Sequence, residues 1–246
     1  MRRIAYGPDP DQYAELTPPT GSGGELRGVV AVVHGGFWKP EYDCALGRPL
    51  AADLAAQGWA AWNVEYRRGV GAAATCGDVA AALAALREHA PDHGLPLHRV
   101  VGLGHSAGGH LITWAAAQPG SPLTHVVAQA GVLDLTAAHR EHLGDGAVEA
   151  FLGHPPGSAG TADAAFDPVA QVPLAVPVRC VHARADDVVP LAQSERYVAQ
   201  ARAAGADADL LVVEDELADP HMALIDPDSP AWAATLVVLD GLDGLG

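Results

Sequence analysis

The run Gly28-Val-Val-Ala-Val-Val-His34 constrains this chain more than any other segment. Its apolar residues are nearly continuous rather than alternating, so a strand made from it must be buried on both faces. Such strands lie in the middle of a mostly parallel sheet covered by helices on both sides. The same alternation of strand and helix recurs downstream. Trp59–Tyr66, Arg99–Leu103, His125–Ala130, Val178–His182 and Ala208–Val213 read as strands. Arg48–Gln57 (closed by Gly58), Gly77–His89, Ser106–Gln118, Leu191–Ala204 and Ser229–Leu239 read as helices. In Gly77–His89, Val79, Leu83 and Leu86 recur at helical spacing and Pro91 lies just beyond the end. The N-terminal stretch, punctuated by Pro18, Pro19, Gly21, Gly23 and Gly24, reads as short edge strands and a turn. The expected architecture is one α/β domain over residues 1–246, a mostly parallel central sheet with helices on both faces. A polar, Gly- and Pro-rich stretch over about 134–172 is longer than an ordinary connection. It is expected to be either a cap or lid over a site, or a surface excursion with one extra helix.

Charge narrows the possible partners. The chain has 246 residues, 30 acidic and 14 basic, for a formal charge of −16, and 49% of it is hydrophobic. High net charge with so much apolar residue excludes a disordered chain. Lys39 is the only lysine and the arginines are scattered, so clustered contacts to nucleic-acid phosphates or an anionic membrane are not expected. Cys44, Cys76 and Cys180 form no Cys-x-x-Cys pair, which argues against a disulfide framework or a zinc ribbon. Met1-Arg2-Arg3-Ile4-Ala5-Tyr6 lacks the apolar stretch of a signal peptide, and no apolar run reaches membrane-spanning length. A reduced, cytoplasmic location is expected.

Chemistry enters with Leu103-Gly104-His105-Ser106-Ala107-Gly108-Gly109, which follows a strand and opens a helix. A Gly-x-Ser-x-Gly at that junction predicts a nucleophile elbow. The sharp turn lifts the Ser106 hydroxyl above the sheet and points the Ala107 N–H toward a developing oxyanion at the helix N-terminus. Gly102-x-Gly104-x-x-Ala107 also fits a loose dinucleotide fingerprint. That fingerprint calls for an acidic residue about 20 positions on, at the end of the next strand. The first acid after this helix is Asp134.

A serine hydroxyl needs a base, and the base needs an orienting carboxylate. Asp186 lies in the loop after strand Val178–His182, and His221 in the loop after Ala208–Val213. Both loops leave the same sheet edge as Ser106, and the chain order is Ser, Asp, His. Asp187 and Asp134 remain competitors for the orienting role. His105 and His110 flank the serine without the spacing or glutamate of a zinc pair. His182 reads as a buried strand-end residue, and His89, His93 and His98 read as surface positions. The turn His34-Gly35-Gly36-Phe37-Trp38 follows the first central strand. Its expected oxyanion donors are Gly36, with Gly35 or Phe37 as alternatives, together with Ala107. His34 is expected to hold the turn by hydrogen bonds. Phe37 and Trp38 read equally as pocket wall or packing, and Trp38 and His105 are expected to line the substrate pocket.

Taken together, His34-Gly35-Gly36-Phe37-Trp38, Gly104-His105-Ser106-Ala107-Gly108-Gly109-His110, His182-x3-Asp186-x2-Val189-Pro190 and His221-Met-Ala-Leu-Ile-Asp226-Pro227 resemble an α/β-hydrolase. More narrowly they resemble the HGGxW group, which includes kynurenine formamidases (arylformamidases) and related small-molecule esterases. The resemblance implies the α/β-hydrolase fold, a triad of Ser106, Asp186 and His221, and oxyanion donors from the first motif. It implies a small ester or amide substrate opened through an acyl-enzyme, with N-formylkynurenine or another aryl formamide as the first expectation and a short carboxylic ester as the close alternative. No cofactor or metal is implied, and the chain is expected as a monomer or homodimer. The alternative class is a hydrolase fold that binds a small ligand without catalysis. Asp186, Asp187 and Glu214–Glu216 crowd the loops of the expected active-site edge, which favours a neutral or zwitterionic substrate unless Arg184 offsets them.

Overall fold

A computed structural model describes residues 1–20, 26–158, 160–214 and 216–242. Its strands are β1 (Arg2–Ala5), β2 (Tyr13–Thr17), β3 (Val29–Val33), β4 (Ala60–Val64), β5 (Val100–His105), β6 (His125–Gln129), β7 (Val178–Ala183) and β8 (Ala208–Val213). They form one eight-stranded sheet in the order β1-β2-β4-β3-β5-β6-β7-β8. β1 and β2 pair antiparallel, as does β2 with β4, and every other pairing is parallel. The doubly buried run of the sequence is therefore β3, flanked by β4 and β5.

The helices are α1 (Arg48–Ala56), α2 (Ala72–His89), α3 (Ala107–Ala116), α4 (Leu135–Arg140), α5 (Ala147–Leu152), α6 (Ala192–Ala203) and α7 (Pro230–Gly241). Side chains alternate across a strand, and β3 divides its valines accordingly. Val29, Ala31 and Val33 join a core with Leu83 of α2, Leu111 of α3 and Tyr197 of α6. Val30 and Val32 join a second core with Leu50 and Leu54 of α1 and Trp232 and Leu239 of α7. Burying each of these large side chains stabilises the fold by about 1.5–3 kcal/mol, and the two cores hold the sheet between helical layers. No helix among the described residues is long and apolar enough to cross a membrane.

Two boundaries depart from the expectation. α2 begins at Ala72 rather than Gly77. Its first turn is an alanine run, the best helix former, entered from Gly71 at φ 86. Gly77 is thus an interior glycine, with nothing within 4 Å of where a Cβ would sit. The 134–172 stretch holds two helices, α4 and α5, and two short 3-10 turns, more than the one helix expected of an excursion. It is fastened to the domain: Trp114 Nε1 donates to the Ala165 carbonyl (2.8 Å) and His110 Nε2 to the Phe166 carbonyl (2.8 Å). Phe151 of α5 stacks on Trp38, with centroids 4.3 Å apart and planes at 18°.

Candidate active site

The parallel strands β3, β5, β7 and β8 deliver their following loops to one sheet edge. The elbow lies between β5 and α3, where Ser106 takes φ 55, ψ −119. A non-glycine residue at positive φ costs about 1–3 kcal/mol. The surroundings offset this: Ser106 N–H donates to the Gln129 carbonyl at 2.8 Å, and its own carbonyl accepts from Val132 and His110, both at 3.2 Å. The elbow tolerates no side chain at its glycines. A Cβ on Gly104 would overlap the Gly108 carbonyl, and one on Gly108 the Val33 carbonyl.

Asp186 and His221 meet as the motif order implied. His221 Nδ1 donates to Asp186 Oδ2 at 2.7 Å, and both residues are buried. Asp186 Oδ1 also accepts from the amides of Val188 (3.0 Å) and Val189 (2.9 Å). Burial alone would raise the Asp186 pKa. The bond from His221, its nearby charge and the Val189 amide outweigh burial and hold the carboxyl below its ordinary range. The competitors stand elsewhere. Asp187 is exposed. Asp134 caps α4, accepting from Ala137 N–H at 2.8 Å, and pairs with Arg196 at 3.3 Å. His182 is a buried strand-end residue as expected: Ser194 Oγ donates to its Nδ1 and its Nε2 donates to the Val189 carbonyl, both at 2.8 Å. It thereby steadies the loop that carries Asp186.

Expected in the substrate pocket, His105 instead turns beneath His221. Its Nε2 donates to the His221 carbonyl at 3.1 Å, and the two rings lie 4.4 Å apart. Strand alternation is the reason: His105 shares the face of Val101 and Leu103, where the turn Met222–Ile225 packs. Burial, reinforced by His221, pushes the His105 pKa down to about 3, so the ring packs as a neutral donor. Ser106 adjoins this contact, and its hydroxyl forms no hydrogen bond among the described residues. Catalytic hydrogen bonds often tighten only around substrate.

The turn after β3 carries three positive φ values in succession, at Gly36 (109), Phe37 (50) and Trp38 (57). Gly35 packs so closely that a Cβ there would lie 3.0 Å from Ser106 Cβ. Among the described residues, the amides of Gly36, Phe37 and Ala107 donate to no protein acceptor. Unpaired N–H groups are thus available beside Ser106, as an oxyanion site requires. Trp38 is both packing and wall: it is buried against Phe151 and His110, and with Phe37, Lys39 and Phe151 it lines a cavity of about 120 Å³. Of the acidic loop, Glu214 pairs with Arg184 at 2.5 Å with both side chains exposed, and Asp215 lies outside the described residues. Among the described residues no group of three His, Cys, Asp or Glu side chains is arranged to hold a metal ion.

The sequence reading passed over Phe151, hidden in the apolar patch 148–152, and Glu65. Glu65 follows the apolar run of β4 and is buried, yet a lone acid at the end of a strand gives no hint of its partners until the neighbouring loops are in place.

With this geometry in place, comparison with known proteins decides the family. Residues 15–200 match the BD-FAE family model, an α/β-hydrolase esterase family. The chain belongs to the BD-FAE family. Solved structures agree on the fold. Esterase B from Lactobacillus rhamnosis superposes with a TM-score of 0.85 at 22% identity, over 99% of this chain and 84% of that one. A truncated carbohydrate esterase from gut microbiota gives 0.82 at 18% identity, over 98% and 95%. The thermophilic esterase Est2 of the planctomycete Thermogutta terrifontis gives 0.75 at 22% identity, over 98% and 90%. A search of curated protein sequences yields no match. The arylformamidase resemblance has no specific counterpart among these relatives.

Buried acids within this site and outside it have a consequence for stability. Glu65, Asp78 and Asp186 are buried, which raises their pKa values, but their partners (His34, Arg67 and His221 in turn) outweigh burial and leave each below its ordinary value. A carboxyl depressed by folding contributes stability above its unfolded pKa, about 4, and that stability is lost as pH falls through the folded value. The melting temperature should decline as pH falls below about 6.5, where unfolding lets the buried neutral rings of His105 and His110 take up protons, and drop more steeply below about pH 4 as these carboxyls protonate. A melting temperature unchanged down to pH ~3 contradicts these pairings.

Proposed function

We propose that this member of an esterase family opens small carboxylic esters through an acyl-enzyme on Ser106. Ser106 Oγ attacks the carbonyl carbon as His221 Nε2 accepts its proton. Asp186 holds His221 in the tautomer that leaves Nε2 unprotonated and stabilises the imidazolium that results. The tetrahedral oxyanion takes hydrogen bonds from the N–H groups of Gly36 and Ala107. His221 returns its proton to the leaving alcohol, and water, activated by the same imidazole, releases the acid. The observation that carries the reading is the buried 2.7 Å bond between Asp186 and His221, set against a strained elbow serine. Strain and a buried carboxylate both cost stability, which favours catalysis over passive ligand binding. The Thermogutta esterase, described with propionate and butyrate bound and phosphonylated by sarin, supports the same chemistry by analogy of fold.

A second reading, cleavage of an aryl formamide such as N-formylkynurenine, is favoured by the cavity walled by Phe37, Trp38 and Phe151 beside the oxyanion turn. Aromatic rings pack well against aromatic walls, and Lys39 at the cavity offers a partner for the carboxylate of a zwitterion. A paired rate comparison separates the two. Hydrolysis of 4-nitrophenyl butyrate faster than N-formylkynurenine by tenfold or more in kcat/KM is the expected result. A formamide preference of that size reverses the assignment in favour of the second reading.

A further inference from the structure

The buried carboxylate of Asp186 is used by the mechanism above, but a second buried carboxylate is not. Glu65 sits just past β4, 1% exposed. It accepts from the amides of Cys44 (2.8 Å) and Tyr66 (2.9 Å) and from the guanidinium of Arg68, and its Oε1 faces His34 Nε2 at 3.2 Å. Burial raises its pKa, and the bonds from His34, Cys44 and Tyr66 outweigh that rise, so Glu65 is a charged carboxylate. Burying such a charge is costly even when paired.

What this arrangement grips is the turn beside Ser106. The His34 ring lies between two acceptors, Glu65 Oε1 at Nε2 (3.2 Å) and the Gly35 carbonyl at Nδ1 (2.8 Å), and it bonds to both when both ring nitrogens carry protons beside the Glu65 carboxylate. Tyr66 stacks on the ring with centroids 4.3 Å apart, and its hydroxyl donates to the His34 carbonyl at 2.8 Å. The Gly35 carbonyl is one end of the Gly35–Gly36 peptide, and the other end is the Gly36 N–H. In a trans, planar peptide the two point in opposite directions. A bond that fixes the carbonyl therefore fixes the N–H, and a hydrogen bond at one end of an amide strengthens donation from the other. The turn needs such a hold, because its next two residues, Phe37 and Trp38, sit at positive φ without being glycine.

We propose that Glu65 is a positioning residue of the oxyanion site: acting through His34, it fixes the Gly35–Gly36 peptide and so the direction of the Gly36 N–H. The inference rests on the hydrolase reading. Glu65 touches no reacting atom, and its effect falls on the transition state, where the oxyanion exists, rather than on bound substrate.

The test uses the full chain with 4-nitrophenyl butyrate as substrate and a fluorophosphonate that reacts with the elbow serine. E65Q is expected to lower kcat at least tenfold with KM within twofold of wild type, and to slow phosphonylation of Ser106 in parallel. His34 variants serve if E65Q does not fold. H34N keeps an amide donor where Nδ1 meets the Gly35 carbonyl, and H34Q keeps one where Nε2 meets Glu65. H34N is expected to retain at least fivefold more kcat than H34Q, and E65Q added to H34N to cost less than threefold further. Wild-type turnover with E65Q within twofold of it in kcat overturns this inference alone, as does an H34Q more active than H34N. Wild-type protein that neither turns over substrate nor reacts with the phosphonate overturns the hydrolase reading, and the inference with it.

Discussion

Replacing Ser106 by alanine should lower turnover of 4-nitrophenyl butyrate by at least about 10⁴-fold, with KM little changed. The hydroxyl is the only group in the mechanism that forms a bond to substrate, so no neighbour can substitute for it. What remains after its removal is the modest acceleration that bound water gains from the oxyanion donors and from binding. The fold should survive. Ser106 is held by its backbone, through Gln129, Val132 and His110, and its hydroxyl contributes no hydrogen bond among the described residues. Melting curves that coincide with wild type alongside lost activity would separate chemistry from folding. An S106A protein that keeps its turnover would show that the reaction takes place elsewhere.

The second large effect belongs to Asp186. Asp186→Asn should cost about 10⁴ in kcat. An amide in place of the carboxylate presents an N–H to His221 Nδ1, which must then accept rather than donate. The proton moves to Nε2, the nitrogen that has to receive the serine proton. Geometry stays nearly intact, because the Oδ1 position can still accept from Val188 and Val189. Asp187→Asn serves as the matched control: Asp187 is exposed and should change kcat by less than about twofold. If the damaging change were at Asp187, the loop would have to present the other carboxylate, and the 2.7 Å contact with His221 would not be the working one.

Much of this site could be read from the sequence because its parts are tied to local backbone rules. The nucleophile elbow needs small residues on either side of a strained serine, and Gly104 and Gly108 mark it in the sequence. The doubly buried β3 announces itself by an unbroken apolar run. Positions whose meaning depends on distant chain were less accessible. His105 sits next to the serine, yet its orientation is set by strand parity and by a turn more than a hundred residues away. Glu65 and His34 belong to successive strand ends, and only the parallel pairing of β3 with β4 brings them together. Phe151 reaches Trp38 because the 134–172 stretch folds back over the sheet edge, and nothing in its own composition says where it lands. The relatives share the fold at identities of 18 to 22%, a likeness that carries the architecture and not the choice of substrate.

The central claim is that Ser106 is the activated nucleophile, and covalent labelling tests it most directly. Folded protein treated with a fluorophosphonate, then analysed by intact mass and peptide mapping, should carry a single adduct on Ser106. Prior denaturation should abolish the labelling, and Asp186→Asn should slow it by orders of magnitude. Folded protein that remains unlabelled, or an adduct on any other residue, would contradict the account.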